Sequence, residues 1–235
     1  MSKSGLDDGI AFPERWLAYF DILGFSALIE KHHPYFILEM YEDALKASHI
    51  PQSAEINRIH FSDTFVFYSA DDTPQSYAWM QSVAKNFVYT CVYKSIPLRG
   101  AIAFGEFYAN EEKNIYFGKA FIEAYQEAES QDWIGLVLTK TAEARVHQYN
   151  NEEEYKDKIN PLHHNFLLSQ VPRNSKCLAG SVITKEQQSS KYFVYDFHKG
   201  SNIDGVLTRL QEMQASAPQK AKKKYQNTIS YIGSK

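Results

Sequence analysis

The chain has 235 residues, of which 44% are hydrophobic and 14% are aromatic, so it is long and apolar enough to bury a sizeable core. A formal net charge of −3 argues against bulk binding to nucleic acid, and the only two cysteines, Cys91 and Cys177, support neither a disulfide framework nor a zinc site. Residues 1–9 lack the apolar core of a signal peptide, and no run approaches the ~18 apolar residues of a membrane span, which predicts a cytoplasmic protein without membrane insertion.

The composition along the chain predicts one folded unit. Residues 1–13 are interpreted as a flexible lead, and residues 14–235 as a single domain whose C-terminal helices begin near residue 202. The basic run from Lys220 to Lys224 is short and lies in an acidic chain, so we interpret it as a solvated helix face and expect no nucleic-acid partner.

The first informative stretch runs from Trp16 to Phe25 (WLAYFDILGF). It predicts a buried strand over residues 16–22, a tight turn at Gly24 and a helix that begins at Phe25. Asp21 ends the apolar run, where a buried carboxylate must be paired or must hold a cation. The pattern suits a divalent metal at Asp21, with a phosphate resting on the N–H groups that follow.

The second stretch runs from Ile59 to Tyr68 (IHFSDTFVFY) and predicts strands at about 57–61 and 64–69, with Asp63 at the tip between them. Two carboxylates at the ends of adjacent strands, Asp21 and Asp63, would form a site for one or two hard cations. The alternative is that Asp21 caps a helix and Asp63 is an ordinary turn residue, since aspartate is common at both places.

The rest of the chain alternates between helical and strand patterns. A helix after Phe25 is interrupted at residues 32–34, and Thr73 caps a long helix that starts at Pro74. Arg99 lies among glycine and alanine residues in a strand over about 97–107, which indicates a close backbone approach, either to a neighbouring element or to a ligand. The other predicted elements are a hairpin loop at 109–114, a helix from Gly118, strands at 134–138, 165–170, 177–184 and 191–197, and helices at 139–149, 202–215 and 219–232.

Four of these stretches, in this order, resemble the motifs of class III nucleotidyl cyclases. They are residues 20–25 (FDILGF), 61–64 (FSDT), 98–105 (LRGAIAFG) and 117–129 (FGKAFIEAYQEAE). The resemblance covers roughly residues 16–140, and within the superfamily the chain is most similar to the bacterial pyrimidine cyclases of Pycsar antiphage systems. It implies an α+β fold with a ferredoxin-like core, a mixed and mainly antiparallel sheet, helices on one face and a C-terminal helical elaboration.

The resemblance also implies a chemistry. A nucleotide cyclase joins the ribose 3′-hydroxyl of a nucleoside triphosphate to its own α-phosphorus and releases pyrophosphate, with two divalent cations, Mg²⁺ or Mn²⁺, at the reacting groups. The residues implied in these roles are Asp21, Asp63 and the Ile22 carbonyl for the metals, and Leu23, Gly24, Phe25 and Arg99 for the triphosphate.

The chain departs from the family in the helix after Gly118. Members of the family carry there an asparagine that orients the ribose and an arginine that stabilises the transition state, but residues 121–127 read FIEAYQE. Arg99 and Lys119 are the cations that remain for this task.

The chain also departs from the family at the positions that recognise the base. Ile59 and Ile115 occupy the positions of the lysine and aspartate with which adenylyl cyclases read adenine, and the guanylyl pair is also absent. This favours the pyrimidine branch, with UTP as the first substrate and CTP as the second. Candidates for reading the base are Tyr41, Arg58 and His60.

Three hypotheses follow. The leading one is a pyrimidine cyclase whose 3′,5′-cyclic monophosphate activates a separate cyclic-nucleotide-responsive effector during phage infection. The second is a catalytically degenerate cyclase-fold module that binds nucleotide without turnover. The third is a phosphohydrolase that uses the same two aspartates.

Class III cyclase sites form between two domains, and this chain carries one. We therefore expect a head-to-tail homodimer with two equivalent sites. Each site would combine Asp21 and Asp63 of one protomer with Lys119 of the partner subunit.

Overall fold

The computed structural model describes residues 12–47, 55–151, 166–170, 191–197 and 202–234, which form nine strands and seven helices. The strands are β1 (Glu14–Ile22), β2 (Ile56–Phe61), β3 (Thr64–Ser69), β4 (Leu98–Glu106), β5 (Tyr108–Asn110), β6 (Ile115–Phe117), β7 (Gly135–Leu138), β8 (Phe166–Gln170) and β9 (Lys191–Tyr195). The helices are α1 (Phe25–Lys31), α2 (Pro34–Ala47), α3 (Pro74–Tyr93), α4 (Lys119–Ser130), α5 (Lys140–Asn151), α6 (Ile203–Ser216) and α7 (Gln219–Gly233).

A seven-stranded sheet with the order β2-β3-β1-β4-β7-β9-β8 lies at the centre of the protein. The pair β4–β7 is parallel and the other neighbours are antiparallel, while β5 and β6 form a separate two-stranded sheet. The expected α+β fold with a mixed, mainly antiparallel sheet and C-terminal helices is therefore confirmed.

The helices cover both faces of the sheet, and the expectation of helices on one face was wrong. Along β1, Trp16 and Phe20 pack into a core that includes α3, whereas Leu17 and Tyr19 pack into a second core that includes α4. The physical reason is that β1 and β4 are continuous apolar runs without alternation, and a strand of that kind needs cover on both faces.

Local signals place several element boundaries. Thr73 caps α3 by accepting a hydrogen bond from the N–H of Ser76 at 3.2 Å, and Pro74 is the first residue of that helix. Gly100 lies against Phe20, where a Cβ atom would come within 2.3 Å of the ring. The close approach expected beside Arg99 is therefore an approach to a neighbouring strand.

The predicted loop at 109–114 is shorter in the structure, because residues 109 and 110 belong to β5 and pair with β6. Residues 1–11, Cys177 and the predicted strand at 177–184 lie outside the described residues.

Within the described ranges, no helix is both long and apolar enough to cross a bilayer.

Candidate functional site

Asp21 lies near the end of β1, between the two strands that flank it. The sheet register places it opposite Thr64 of β3 and opposite Arg99 of β4. Asp63 immediately precedes Thr64, and its carbonyl accepts a hydrogen bond from the N–H of Ile22 at 2.9 Å. The β2–β3 tip is thereby fastened to the end of β1, and the two aspartates expected to bind metal share one edge of the sheet.

Arg99 is a buried cation that joins Asp21 to Glu129, and it is 8% exposed. Its Nε donates to Asp21 Oδ2 at 3.1 Å, and its Nη2 lies 3.0 Å from the same oxygen. Nη2 also forms an ion pair with the Glu129 carboxylate, and Nη1 donates to the Glu129 carbonyl at 3.1 Å. All three guanidinium nitrogens therefore have an acceptor within the protein, and binding of the triphosphate by Arg99 stays a prediction.

The charges around Asp21 do not balance. Burial raises the pKa of the Asp21 carboxyl to about 6, although Arg99 acts in the opposite direction, and the negative charges of Glu129 and Asp63 raise it further. Burial and the two neighbouring negative charges thus outweigh the ion pair with Arg99, which Asp21 shares with Glu129. A further positive charge at Asp21 would stabilise its ionised form.

The donor set fits a hard divalent cation. Among the described residues no group of three or more Asp, Glu, His or Cys side chains is arranged to hold a metal, so Asp21 and Asp63 are a pair that would need further oxygen ligands. Arg99 binds only Oδ2 of Asp21, which leaves Oδ1 for a metal. Phosphate oxygens of a nucleotide are the kind of ligand that completes such a coordination shell.

The turn after Asp21 is partly occupied by its own hydrogen bonds. Gly24 adopts a left-handed conformation with φ of 76°, and α1 begins at Phe25. The N–H of Leu23 donates to the Pro97 carbonyl at 2.8 Å, so phosphate binding by Leu23 would require this bond to break, which runs against that part of the expectation. The corresponding roles of Gly24 and Phe25 stay predictions.

The positions expected at the base lie on different sheets. Ile59 is half-buried on β2 and packs against the core beneath α4, whereas Ile115 is exposed on β6.

The three candidates for reading the base contact other parts of the protein. Arg58 donates to the carbonyl of Leu45 at 3.2 Å, and the His60 ring stacks on Phe65. Tyr41, on α2, packs its ring against Phe25 and Phe65. Base recognition by any of these residues stays a prediction.

Lys119 lies far from Asp21 of the same protomer. Its exposed Nζ is 2.9 Å from Glu106 Oε2, and Glu106 pairs with Glu14 at the start of β1. Asp21 is seven residues further along that strand, which at about 3.3 Å per residue corresponds to about 23 Å. Lys119 therefore cannot reach Asp21 of its own protomer, and its role in the site of a partner subunit stays a prediction.

The segment of α4 that lacks the family's asparagine and arginine is partly core. Phe121 and Tyr125 pack edge-to-face against Tyr19, with ring centroids 5.8 and 5.6 Å away. Ile122 points to solvent and is 54% exposed. Lys119, Ile122 and Gln126 lie three and four residues apart, so they share the outer face of the helix.

Glu129 is the residue of this site that sequence reasoning missed. It ends up beside Arg99 because α4 runs back along the sheet from the Glu106 end to the Arg99 end, packing its buried alanines on β1 and β4. A signal was present: an acidic residue next to buried Ala128 in the last turn of a helix is unfavourable unless a cation pairs with it.

The chain matches no protein-family model and no curated protein, but it resembles solved structures. The guanylate cyclase domain of RhGC from Catenaria anguillulae, in complex with GTP, aligns with a TM-score of 0.51 at 10% identity over 78% of this chain and 95% of that one. The adenylyl cyclase CyaB from P. aeruginosa aligns with a TM-score of 0.52 at 12% identity over 81% of this chain and 96% of that one.

A double mutant of the guanylyl cyclase domain of the RhoGC fusion protein from Blastocladiella emersonii aligns with a TM-score of 0.53 at 9% identity, over 78% of this chain and 94% of that one. At such low identity these likenesses concern the fold. Together with the sheet order and the helices on both faces, they lead to one conclusion: the chain has the class III nucleotidyl cyclase fold.

Proposed function

We propose that this protein is a nucleotide cyclase that converts a pyrimidine nucleoside triphosphate, UTP first and CTP second, to its 3′,5′-cyclic monophosphate and pyrophosphate. The observation that carries the proposal is the position of Asp21 and Asp63, which the register of β1, β3 and β4 brings to one edge of a cyclase-fold sheet. The reaction is intramolecular, so the protein must mainly hold the substrate in a compact geometry.

The residues divide this task between them. Asp21 and Asp63 would hold two divalent cations, Mg²⁺ or Mn²⁺, which when bound lower the pKa of the 3′-hydroxyl and neutralise the triphosphate. The Ile22 carbonyl would add one ligand, and the N–H groups of Gly24 and Phe25 would hold phosphate oxygens. In the metal-free protein, Arg99 holds the Asp21 carboxylate through Oδ2.

The pyrimidine assignment rests on the residues at the positions that recognise the base in related cyclases. Isoleucine at 59 and 115 removes the charged groups that would bind adenine, and an isoleucine offers no hydrogen bond to any base edge. The similarity of the four motifs to Pycsar cyclases supports the same assignment, together with a cytoplasmic role in antiphage signalling through a separate effector. A rise in cyclic UMP or cyclic CMP after phage infection of cells expressing the protein would test that role.

A second candidate function is nucleotide binding without turnover. The observation that favours it is that the Arg99 guanidinium is engaged by Asp21 and Glu129, while the outer face of α4 offers Lys119 as its only cation among residues 119–130. Such a module would still be stabilised by triphosphate through mass action.

The deciding experiment incubates the protein with each of the four ribonucleoside triphosphates and Mn²⁺ and identifies products by mass spectrometry. Cyclic UMP or cyclic CMP that disappears in Asp63→Asn, but persists in the matched control Glu112→Gln on the exposed β5–β6 turn, is the expected result. Formation of cyclic AMP or cyclic GMP alone would overturn the pyrimidine assignment. Nucleoside diphosphate and phosphate would indicate a hydrolase, and a melting shift without product would indicate a binding module.

A further inference from the structure

Arg99 is shared between one carboxylate expected to bind metal and one that is not. Its side chain is 10% exposed, and those of Asp21 and Glu129 are 15% and 12% exposed. All contacts between Arg99 and Asp21 fall on Oδ2, at 3.1 Å from Nε and 3.0 Å from Nη2. The contacts with Glu129 use Nη1 and Nη2 and involve both its carboxylate and its carbonyl.

A buried cation that contacts a metal ligand competes with the metal. A divalent cation on Asp21 adds positive charge next to the guanidinium and weakens the contact between Arg99 and Asp21, since like charges repel strongly where little water screens them. A guanidinium left without an anion in this buried position would be costly, so the protein would resist the metal.

Glu129 offers Arg99 a second anion, which contacts Nη2 together with Asp21 and leaves Nε to Asp21 alone. It lies in the last turn of α4, where the helix carbonyls also favour a cation, and the Glu129 carbonyl accepts from Nη1 at 3.1 Å. Neither contact with Glu129 requires Asp21, so both could hold the guanidinium if Asp21 bound another cation.

We propose that Glu129 is a positioning residue for the metal site: it retains the Arg99 guanidinium when a divalent cation binds Asp21, and so keeps Arg99 from competing with that cation. The inference rests on the proposed metal-binding function of Asp21. It assigns to Arg99 the role of a counter-cation for Asp21 in the metal-free protein, and to Glu129 the role of its alternative partner.

The test is Mn²⁺ binding to the full chain without nucleotide, where water takes the place of the phosphate oxygens in the coordination shell, measured at millimolar Mn²⁺ from the paramagnetic resonance signal of free Mn²⁺. Glu129→Gln should raise the dissociation constant about tenfold, because the guanidinium then has only one buried carboxylate to bind. The double variant Arg99→Gln/Glu129→Gln should return to within about threefold of wild type, because the competing cation is gone. The matched control Glu127→Gln, the same change one half-turn earlier on α4 at a residue outside the contacts of Arg99, should leave the constant unchanged.

Restoration by the second substitution separates this role from a merely structural one. If Glu129→Gln binds Mn²⁺ like wild type, or if removing Arg99 restores nothing, the proposal is overturned. Should the double variant fail to fold by its melting curve, Glu129→Asp decides: it keeps the charge and should bind Mn²⁺ more tightly than Glu129→Gln, and equal affinities would overturn the proposal.

The failure of the metal site itself has a different signature. Asp21→Asn should abolish the binding. If wild type binds no Mn²⁺, or if Asp21→Asn binds as wild type does, the proposed metal site falls and this inference falls with it. If Asp21→Asn abolishes binding but Glu129→Gln and the double variant bind Mn²⁺ as wild type does, the metal site stands and only the proposed role of Glu129 is refuted.

Discussion

At the scale of single residues, Asp21 illustrates how burial competes with ion pairing. Its side chain is 15% exposed and touches Arg99, yet the pKa of its carboxyl lies at about 6, against an ordinary value of 3.8. The folded protein therefore binds the Asp21 proton more tightly than the unfolded chain does. The stability that this proton provides is present at low pH and is lost as the pH rises through about 6.

A substitution at Asp21 tests this argument. In the presence of a chelator, Asp21→Asn removes the titration, so from about pH 4.5 to about pH 7.5 the free energy of unfolding of wild type should fall relative to that of the variant by about 2 kcal/mol. Urea unfolding at the two pH values measures it. Asp71→Asn is a control that should show almost no change over the same interval: partial burial acts to raise the pKa of Asp71, but hydrogen bonds from Ser76 and Thr73 outweigh it and hold that pKa below its ordinary value of 3.8. The stability that ionised Asp71 adds is lost only as the pH falls below about 4, so the difference between wild type and Asp71→Asn should stay constant between the two pH values. Equal pH dependence of Asp21→Asn and wild type would contradict the argument.

Gly100 shows how tightly β4 is packed beside Arg99. A Cβ atom there would lie 2.3 Å from Cδ1 of Phe20 and 2.7 Å from the carbonyl oxygen of Tyr19, and Phe20 is held in turn by Phe67 and Phe87. Gly100→Ala should therefore lower the free energy of unfolding by about 2–3 kcal/mol. Gly233→Ala, whose Cβ would meet nothing within 4 Å, is the matched control. Similar unfolding midpoints for the two variants would show that β4 and Phe20 can move to accommodate the added Cβ atom, which would contradict this prediction.

At the scale of elements, α7 clamps the segment that joins α4 to β7. Thr228 is fully buried, and its Oγ1 accepts from the Ile134 N–H at 2.8 Å. Asn227 donates to the Asp132 carbonyl at 2.7 Å, and Lys224 lies 3.3 Å from the Asp132 carboxylate. The segment directly follows Glu129 in the chain and leads into the strand paired with β4, so the C-terminal helix supports the Arg99 end of the sheet.

The clamp can be tested at its buried hydroxyl. Thr228→Val keeps the shape but leaves the Ile134 N–H without its acceptor, which should destabilise the protein by about 1–3 kcal/mol. The control is Thr208→Val on the exposed face of α6, which should change stability by less than about 0.5 kcal/mol. Chemical denaturation of both variants measures the difference. A Thr228→Val protein as stable as wild type would mean that the hydrogen bond adds nothing to the docking of α7.

At the scale of the whole molecule, the two halves of the expected site lie at opposite ends of one sheet. Asp21 and Asp63 are at the end of β1, and Lys119 is beside Glu106 at its start. A head-to-tail dimer would bring the Lys119 end of one protomer to the Asp21 end of the other. One interface would then form two equivalent sites.

Complementation tests this assembly. Asp63→Ala and Lys119→Ala proteins should each be inactive alone, whereas random mixed dimers contain one intact and one doubly damaged site, so an equal mixture should recover about a quarter of wild-type activity. Cyclic nucleotide production after subunit exchange is the measurement, and the same mixture before exchange is the control. No recovery despite demonstrated exchange would refute a shared site with Lys119, and an active strict monomer would refute the dimer.

Local chemistry in the sequence was sufficient for the elements near the site. The apolar run that stops at Asp21, the glycine turn after it and the Thr73–Pro74 start of α3 depend on neighbours within a few residues, and the structure has each of them. The resemblance of four short motifs also indicated the fold correctly, because their order reflects the order of the elements.

Only the tertiary structure decided how these elements meet. The antiparallel register of β1 and β4 puts Arg99 opposite Asp21, and the return of α4 along the sheet puts Glu129 in contact with the same guanidinium. It also puts Lys119 at the other end and covers the second face of the sheet. Periodicity and capping are properties of neighbouring residues, whereas the partner of a buried charge depends on strand order and register, which a single sequence does not contain in any local pattern.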